Sequence, residues 1–280
     1  IKVTKKYISQ NLKFLFKIKN LNIILHLFSV KIIFHMHFLQ IMDISNLTYL
    51  IFGGTGELFG NIAIELADLN ANVYIVGRSK EKADNILEKS DNIKFIKYDA
   101  VNDDVTNIIE SIGKIDVLIN GMGVNSSTPF EEISEEEMNN IFKINYIVPV
   151  KCCQLVLKKM KEQQDGSIIN VGSISGLTPL SKVYTYSASK AAIHNLSKNL
   201  AREYGKYNIR INTLVPGFFP AEQNKKILTE DRVKQIMDHT PMRRFGKPKD
   251  LLEAILMLSS CKFVNGSEIV VDGGFNSMKI

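Results

Sequence analysis

The stretch Thr48–Leu69 constrains this chain more than any other. A β-rich apolar run, Thr48–Phe52, passes into the turn Gly53-Gly54-Thr55-Gly56-Glu57-Leu58-Phe59-Gly60, and a segment with helical apolar periodicity follows. Glycines between a strand and a helix leave the backbone bare where it meets the helix amino terminus. Main chain can then approach an anion closely, and the helix end favours the negative charge. Any tight turn can recruit glycine, so the turn alone says little. A second apolar run at Asn72–Val76 completes the strand, turn, helix and strand order that a dinucleotide fingerprint requires. Gly53, Thr55, Gly56 and Leu58 are therefore candidate cofactor contacts.

The same alternation continues. Further strand-like runs occur at Ile93–Tyr98, Ile115–Asn120, Ser167–Val171, Ile209–Val215 and Ser267–Val271. Helical stretches lie between them at Lys80–Lys89, Val105–Ser111, Ile133–Lys161, Tyr184–Tyr204 and Pro248–Leu258. Strands alternating with helices predict βαβ units and a parallel sheet buried on both faces. Right-handed crossovers then give a doubly wound α/β fold of seven parallel strands with helices on both faces. No Pro/Gly-rich linker interrupts residues 43–280, so they are expected to form one domain, with ligands at the carboxyl ends of the strands.

Charge has to be read by region. The whole chain carries 35 Lys and Arg against 29 Asp and Glu, a formal +6. Residues 1–42 hold seven of the lysines and no acid, so the remainder carries 28 basic against 29 acidic groups. A nearly neutral domain gives no reason to expect a nucleic-acid partner. Residues 1–42 also lack Gly, Ala, Pro and Arg. They are expected to lie outside the fold, as translated upstream sequence with Met42 the natural start. A weak membrane anchor and a disordered extension are the other readings. Leu21–Phe34 is apolar, but Lys31 and three histidines in this region break it up, leaving no run near the ~18–20 residues a span needs. Membrane association is accordingly not expected. Three cysteines, Cys152, Cys153 and Cys261, form neither a disulfide framework nor a metal-ligand pattern, which fits a reducing cytoplasm and no bound metal.

The chemistry is expected around Tyr186-Ser187-Ala188-Ser189-Lys190, where Tyr and Lys stand four apart on one helix face. A phenol titrates near 10 and is a poor base at neutrality. A neighbouring ammonium is expected to lower that value, so that Tyr186 can shuttle a proton. Ser173 lies thirteen residues upstream, just past a strand, where its hydroxyl could meet a carbonyl. Asn145 sits on the preceding long helix. Asn120-Gly121 and Pro216-Gly217 end two strands with flexible turns at which backbone can meet a cofactor. Cofactor choice is set at the end of the second strand, where an acid reads a ribose 2′-hydroxyl and an Arg a 2′-phosphate. Gly77-Arg78 offers no acid and one Arg, which favours NADP over NAD.

Together these residues resemble the short-chain dehydrogenase/reductase family across Leu47–Phe275, a Rossmann-type fold. The resemblance implies Tyr186 as general acid/base and Lys190 as its modulator and nicotinamide-ribose ligand. It implies Ser173 as carbonyl-orienting residue and Asn145 as holder of a relay water. It also implies Asp99 against the adenine amino group, Asn120 as the first residue of an Asn-Asn-Ala-Gly-like turn, and a homo-oligomer, a tetramer or dimer, joined near the last strand. The family's Gly-x-x-x-Gly-x-Gly turn is altered, with Glu57 and Phe59 at its second and third glycine positions, and the turn after Asn120 reads Gly-Met-Gly.

Within the family, Leu118–Asn125, Pro216–Asn224, His239–Gly246 and Val271–Phe275 look most like fructuronate reductases (D-mannonate oxidoreductases) and gluconate 5-dehydrogenase-like enzymes. A small sugar acid needs a cation for its carboxylate and polar partners for its hydroxyls. Lys182, Gln223, Asn224, Arg243 and Arg244 are the candidates, and Phe219–Pro241 is where a substrate lid is expected. The competing readings are a 3-oxoacyl-carrier-protein reductase and a dinucleotide-binding redox sensor without turnover.

Overall fold

The computed structural model describes residues 44–220 and 229–278. The extension 1–42 and the candidates Gln223 and Asn224 lie outside the described residues. Seven strands form one parallel sheet: β1 (Thr48–Phe52), β2 (Asn72–Gly77), β3 (Ile93–Lys97), β4 (Val117–Asn120), β5 (Gly166–Val171), β6 (Ile209–Pro216) and β7 (Glu268–Val271). Their spatial order is β3-β2-β1-β4-β5-β6-β7, every neighbouring pair parallel. The chain winds outward from β1 to β3, returns to β4 beside β1, and winds the other way to β7. This reversal opens a crevice at the carboxyl ends of β1 and β4.

Side chains alternate along each strand, so one sheet feeds two cores. Tyr49 and Ile51 of β1, Val117 and Ile119 of β4 and Ile169 of β5 face one side. There they pack on α1 (Glu57–Asp68), α2 (Lys80–Leu87) and α8 (Pro248–Ser260), through residues such as Ile62, Leu66, Ile86 and Ile255. Leu50 and Phe52 of β1, Leu118 of β4 and Ile168 of β5 face the other side. They meet α3 (Thr106–Ser111), α5 (Val148–Gln163) and the end of α6 (Tyr184–Tyr204). A fully buried side chain of this kind contributes about 2 kcal/mol, so both helical layers are needed to hold the central strands.

Two elements differ from expectation. The single helix expected over Ile133–Lys161 is α4 (Glu135–Phe142) and α5 joined by a π-helical turn, Lys143–Ile147. Pro149 explains the break, because it lacks the N–H that would bond the carbonyl of Asn145 in an α-helix. The second is a helix that the sequence pattern did not place, α7 (Glu230–His239), within the Phe219–Pro241 stretch where a lid with few anchors is expected. Thr229 caps it, accepting from the Arg232 amide at 3.3 Å, and Ile236 is its buried anchor. Among the described residues no helix is long and apolar enough to cross a membrane.

Candidate active site

At the carboxyl edge of the sheet lies a cavity of about 540 Å³. Leu58 of α1, Gly121 after β4, Ser173 after β5, Pro216 and Gly217 at the end of β6, and Tyr186 and Lys190 of α6 all line it. Residues spread over much of the sequence thus converge because parallel strands deliver their ends to one edge. Among the described residues no group of three or more His, Cys, Asp or Glu could hold a metal ion.

Ser173 begins a short 3₁₀ turn, Ile174–Gly176. Its oxygen accepts from the amide of Ser175 at 3.2 Å and from the Ser175 hydroxyl at 3.1 Å. A hydroxyl has two acceptor sites and one proton, so the Ser173 proton is left for the Tyr186 phenol or for a bound carbonyl. Tyr186 is half-buried, and its phenol is in polar contact with the Ser173 hydroxyl. Burial raises the phenol above its ordinary value of 10, and the Ser173 contact opposes the rise. The expected lowering by Lys190 is not among the influences on the phenol, where removal from water dominates. Lys190 is buried, its ammonium donating to the Val171 carbonyl at 2.8 Å and lying 5.7 Å from the Tyr186 ring centre. Burial also brings the Lys190 amine down to about 8.

Asn145 lies in the π-helical turn and is 1% exposed. Its carboxamide clamps Val124 reciprocally, accepting from the Val124 amide at 2.8 Å and donating to the Val124 carbonyl at 2.9 Å. It also donates to Ser189 at 3.0 Å. The Asn145 side chain is thus committed to framing the site, while the π turn and Pro149 leave its carbonyl without an α-helical donor. Asn120 is similar in kind. Its side chain turns into the sheet, donating to Asn170 at 2.8 Å, and only its following peptide reaches the cavity.

The altered glycine turn has a structural logic. Phe59 is buried against Gly121, where a Cβ would come 2.8 Å from the Phe59 ring. The phenylalanine in place of a family glycine is accommodated by a glycine in place of a family asparagine. Gly53, with φ +78°, completes the contact, since a Cβ there would lie 2.9 Å from the Gly121 carbonyl carbon. Gly56 precedes helix α1 and offers no side-chain cap, leaving the bare amino terminus that a pyrophosphate needs. The crevice therefore fits a dinucleotide. At the end of β2, a Cβ on Gly77 would overlap the Thr55 side chain, so an acid cannot stand there without displacing Thr55. Arg78 is exposed beside it. Asp99 accepts from the amide of Val101 at 3.0 Å and the side chain of Asn102 at 3.0 Å, which hold its carboxyl below the usual range.

At the cavity's outer side the structure selects among the expected cations. Lys182 lines the cavity, on a left-handed backbone with φ 61° that costs a non-glycine residue about 1 kcal/mol. Arg243 and Arg244 are not among the lining residues. Arg243 pairs with Asp238 at 2.8 Å, and Arg244 grips Asp250 with bonds of 2.6 and 3.0 Å. The second lining cation is Arg232 of α7, which sequence reasoning missed. Its signal was the Thr229 cap and the acidic first turn, Glu230 and Asp231.

Comparison with known proteins agrees with this architecture. Residues 48–232 match the short chain dehydrogenase family. A 2-dehydro-3-deoxy-D-gluconate 5-dehydrogenase of Formosa agariphila is 30% identical, over 84% of this chain and 94% of its own length. A Haemophilus influenzae protein provisionally assigned as a D-mannonate oxidoreductase, solved with bound NAD, is 32% identical at a TM-score of 0.77, covering 85% of this chain and 97% of that one. A gluconate 5-dehydrogenase from Burkholderia cenocepacia, solved with NADP and tartrate, is 25% identical at a TM-score of 0.80, covering 85% and 99%. The chain belongs to the short-chain dehydrogenase family and is a nicotinamide-dinucleotide-dependent oxidoreductase acting on CH–OH groups.

Proposed function

We propose that the protein interconverts a carbonyl and a secondary alcohol on a sugar acid of the fructuronate/mannonate or ketogluconate type, preferring NADP. The observation that carries this reading is one cavity with Ser173 and Tyr186 at its floor and two cations, Lys182 and Arg232, at its rim. A sugar acid brings one carboxylate and several hydroxyls, which this polarity suits. The names of the similar gluconate and mannonate enzymes support the same class.

In this reading Ser173 donates its remaining proton to the substrate carbonyl oxygen and fixes its position. Tyr186, protonated at neutrality, delivers its proton to the same oxygen during reduction and recovers it during oxidation. Lys190 would hold the nicotinamide ribose, and the Asn145 carbonyl would hold a water that returns the proton by way of Lys190. A nicotinamide dinucleotide supplies or accepts the hydride when bound. Leu58, Gly121, Pro216 and Gly217 would hold it in the cavity. Gly53, Thr55, Gly56, Asn120 and Asp99 would hold its remaining length, with Arg78 on a 2′-phosphate. The Thr55 side chain, standing where an acid's first carbon would be, supports the NADP preference.

A homo-oligomer belongs to the same proposal. β7 is an edge strand of the sheet, and its Val270 is exposed. So do a cytoplasmic setting, supported by three free thiols, and a functional domain of residues 43–280 without the extension 1–42. The test is NADPH and NADH oxidation, followed by absorbance, against fructuronate, 5-ketogluconate and an acetoacetyl thioester. The proposal expects an acid sugar with NADPH to be fastest. Turnover of the thioester alone would move the protein to acyl reduction, and no turnover of an acid sugar would remove the substrate class while leaving the family.

A further inference from the structure

The buried imidazole of His194 has no part in the roles above, yet it touches the catalytic floor. It lies on α6 one turn beyond Lys190 and is 4% exposed. Its Nε2 accepts from the backbone N–H of Ser173 at 3.3 Å. Gly172 makes the room, since any Cβ there would overlap that nitrogen. On the opposite side Nδ1 stands 3.4 Å from a carboxylate oxygen of Glu268 on β7, a close approach without hydrogen-bond alignment. Lys198, one turn further along α6, reaches the same oxygen at 2.6 Å. A line of polar contacts therefore runs from the Ser173 backbone through the imidazole to the edge strand.

The partners assign the tautomer. With Nε2 accepting, the single proton of a neutral ring sits on Nδ1, facing Glu268. A second proton could only go on Nε2, where it would point at the Ser173 N–H and break that bond. The charged groups facing the ring are Lys190 and Lys198 from its own helix and Glu268 from β7. The Ser173 turn and β6 bring only uncharged groups, Ser173 and Thr213. Burial, the largest influence, together with the two lysines opposes protonation, Glu268 favours it, and the balance holds the imidazole below its ordinary 6.5.

We propose that His194 is a positioning residue: its neutral ring pins the Ser173 amide, and with it the aim of the serine hydroxyl, and protonation releases that turn. The inference rests on the role proposed for Ser173. It is tested by ¹⁵N NMR of the imidazole and of the Ser173 amide across about pH 5 to 8, together with NADPH oxidation by 5-ketogluconate over the same range. The variants are His194→Gln, which keeps an acceptor at the Nε2 position, His194→Met, which does not, and Ser173→Ala. The expected results are an Nδ1–H tautomer at neutral pH and a Ser173 amide shift that moves as the ring gains its proton. Turnover of the unaltered protein should fall on the acid side. His194→Gln should keep kcat within about threefold and flatten that fall, whereas His194→Met should lose about tenfold in kcat with dinucleotide affinity unchanged. An Nε2–H tautomer, or Gln and Met variants that lose kcat alike and keep the acid fall, would overturn the proposal. If Ser173→Ala turns over normally, the serine assignment itself fails. If that variant is inactive while His194→Met is unimpaired, only the His194 inference fails. The NMR readouts need no substrate, so they decide even if 5-ketogluconate is not turned over.

Discussion

The floor and the rim of the cavity are built on opposite plans. At the floor, Ser173, Asn145 and Lys190 are tied by hydrogen bonds to Ser175, Val124 and Val171, and Asn145 and Lys190 are almost wholly buried. At the rim, Lys182 is exposed and Arg232 half-buried, and neither forms an ion pair among the described residues. Removing water fixes geometry and shifts proton affinities, which suits chemistry on a carbonyl. Cations on long side chains without an ion-pair partner suit recognition of a carboxylate and can be exchanged without disturbing the floor. Floor substitutions should therefore act on kcat and rim substitutions on KM.

That division can be broken by experiment, beginning with the largest effect. Lys190→Met should reduce turnover by about a thousandfold and weaken dinucleotide binding, read by steady-state kinetics and by cofactor fluorescence. Turnover within tenfold of the parent would detach Lys190 from the floor. Arg232→Ala should raise KM for an acid sugar by about ten- to a hundredfold with kcat little changed, the loss of a charge-assisted hydrogen bond. A fall in kcat with KM unchanged would make Arg232 part of the chemistry. Gly121→Ala should destabilise the domain by about 2 kcal/mol in denaturant unfolding, because its methyl meets the Phe59 ring, whereas the same change added to Phe59→Ala should cost little further. The smallest effect concerns pH. Lys190 titrates at about 8, so NADPH affinity should weaken about threefold as pH rises through that value and the ammonium becomes neutral. Lys190→Arg, which keeps its charge, should bind without that dependence.

The floor was legible in the sequence and the rim only at Lys182, for physical reasons. Tyr186 and Lys190 are one helical turn apart, and Ser173 follows a strand, so local periodicity alone brings them to one edge. The Phe59–Gly121 accommodation depends on β1 pairing with β4, a long-range contact that no local pattern reveals. Arg243 and Arg244 looked as available as Arg232, and only the positions of Asp238 and Asp250 take them out of the cavity. Helix α7 has one buried residue, Ile236, and its apolar stripe of Val233, Ile236 and Met237 is short, so the Thr229 cap and the acidic first turn were its clearer signs. Pro149 marked the break in the long helix. His194 looks like any polar helical residue until the fold places it behind Gly172.

The most direct test of the account is single-turnover NADPH oxidation by Tyr186→Phe with whichever acid sugar the parent reduces. Hydride transfer should slow by about a thousandfold while cofactor binding is unchanged, since only the phenolic proton has been removed. A rate equal to the parent's would show that the proton comes from elsewhere, and the catalytic assignment of the floor would be wrong.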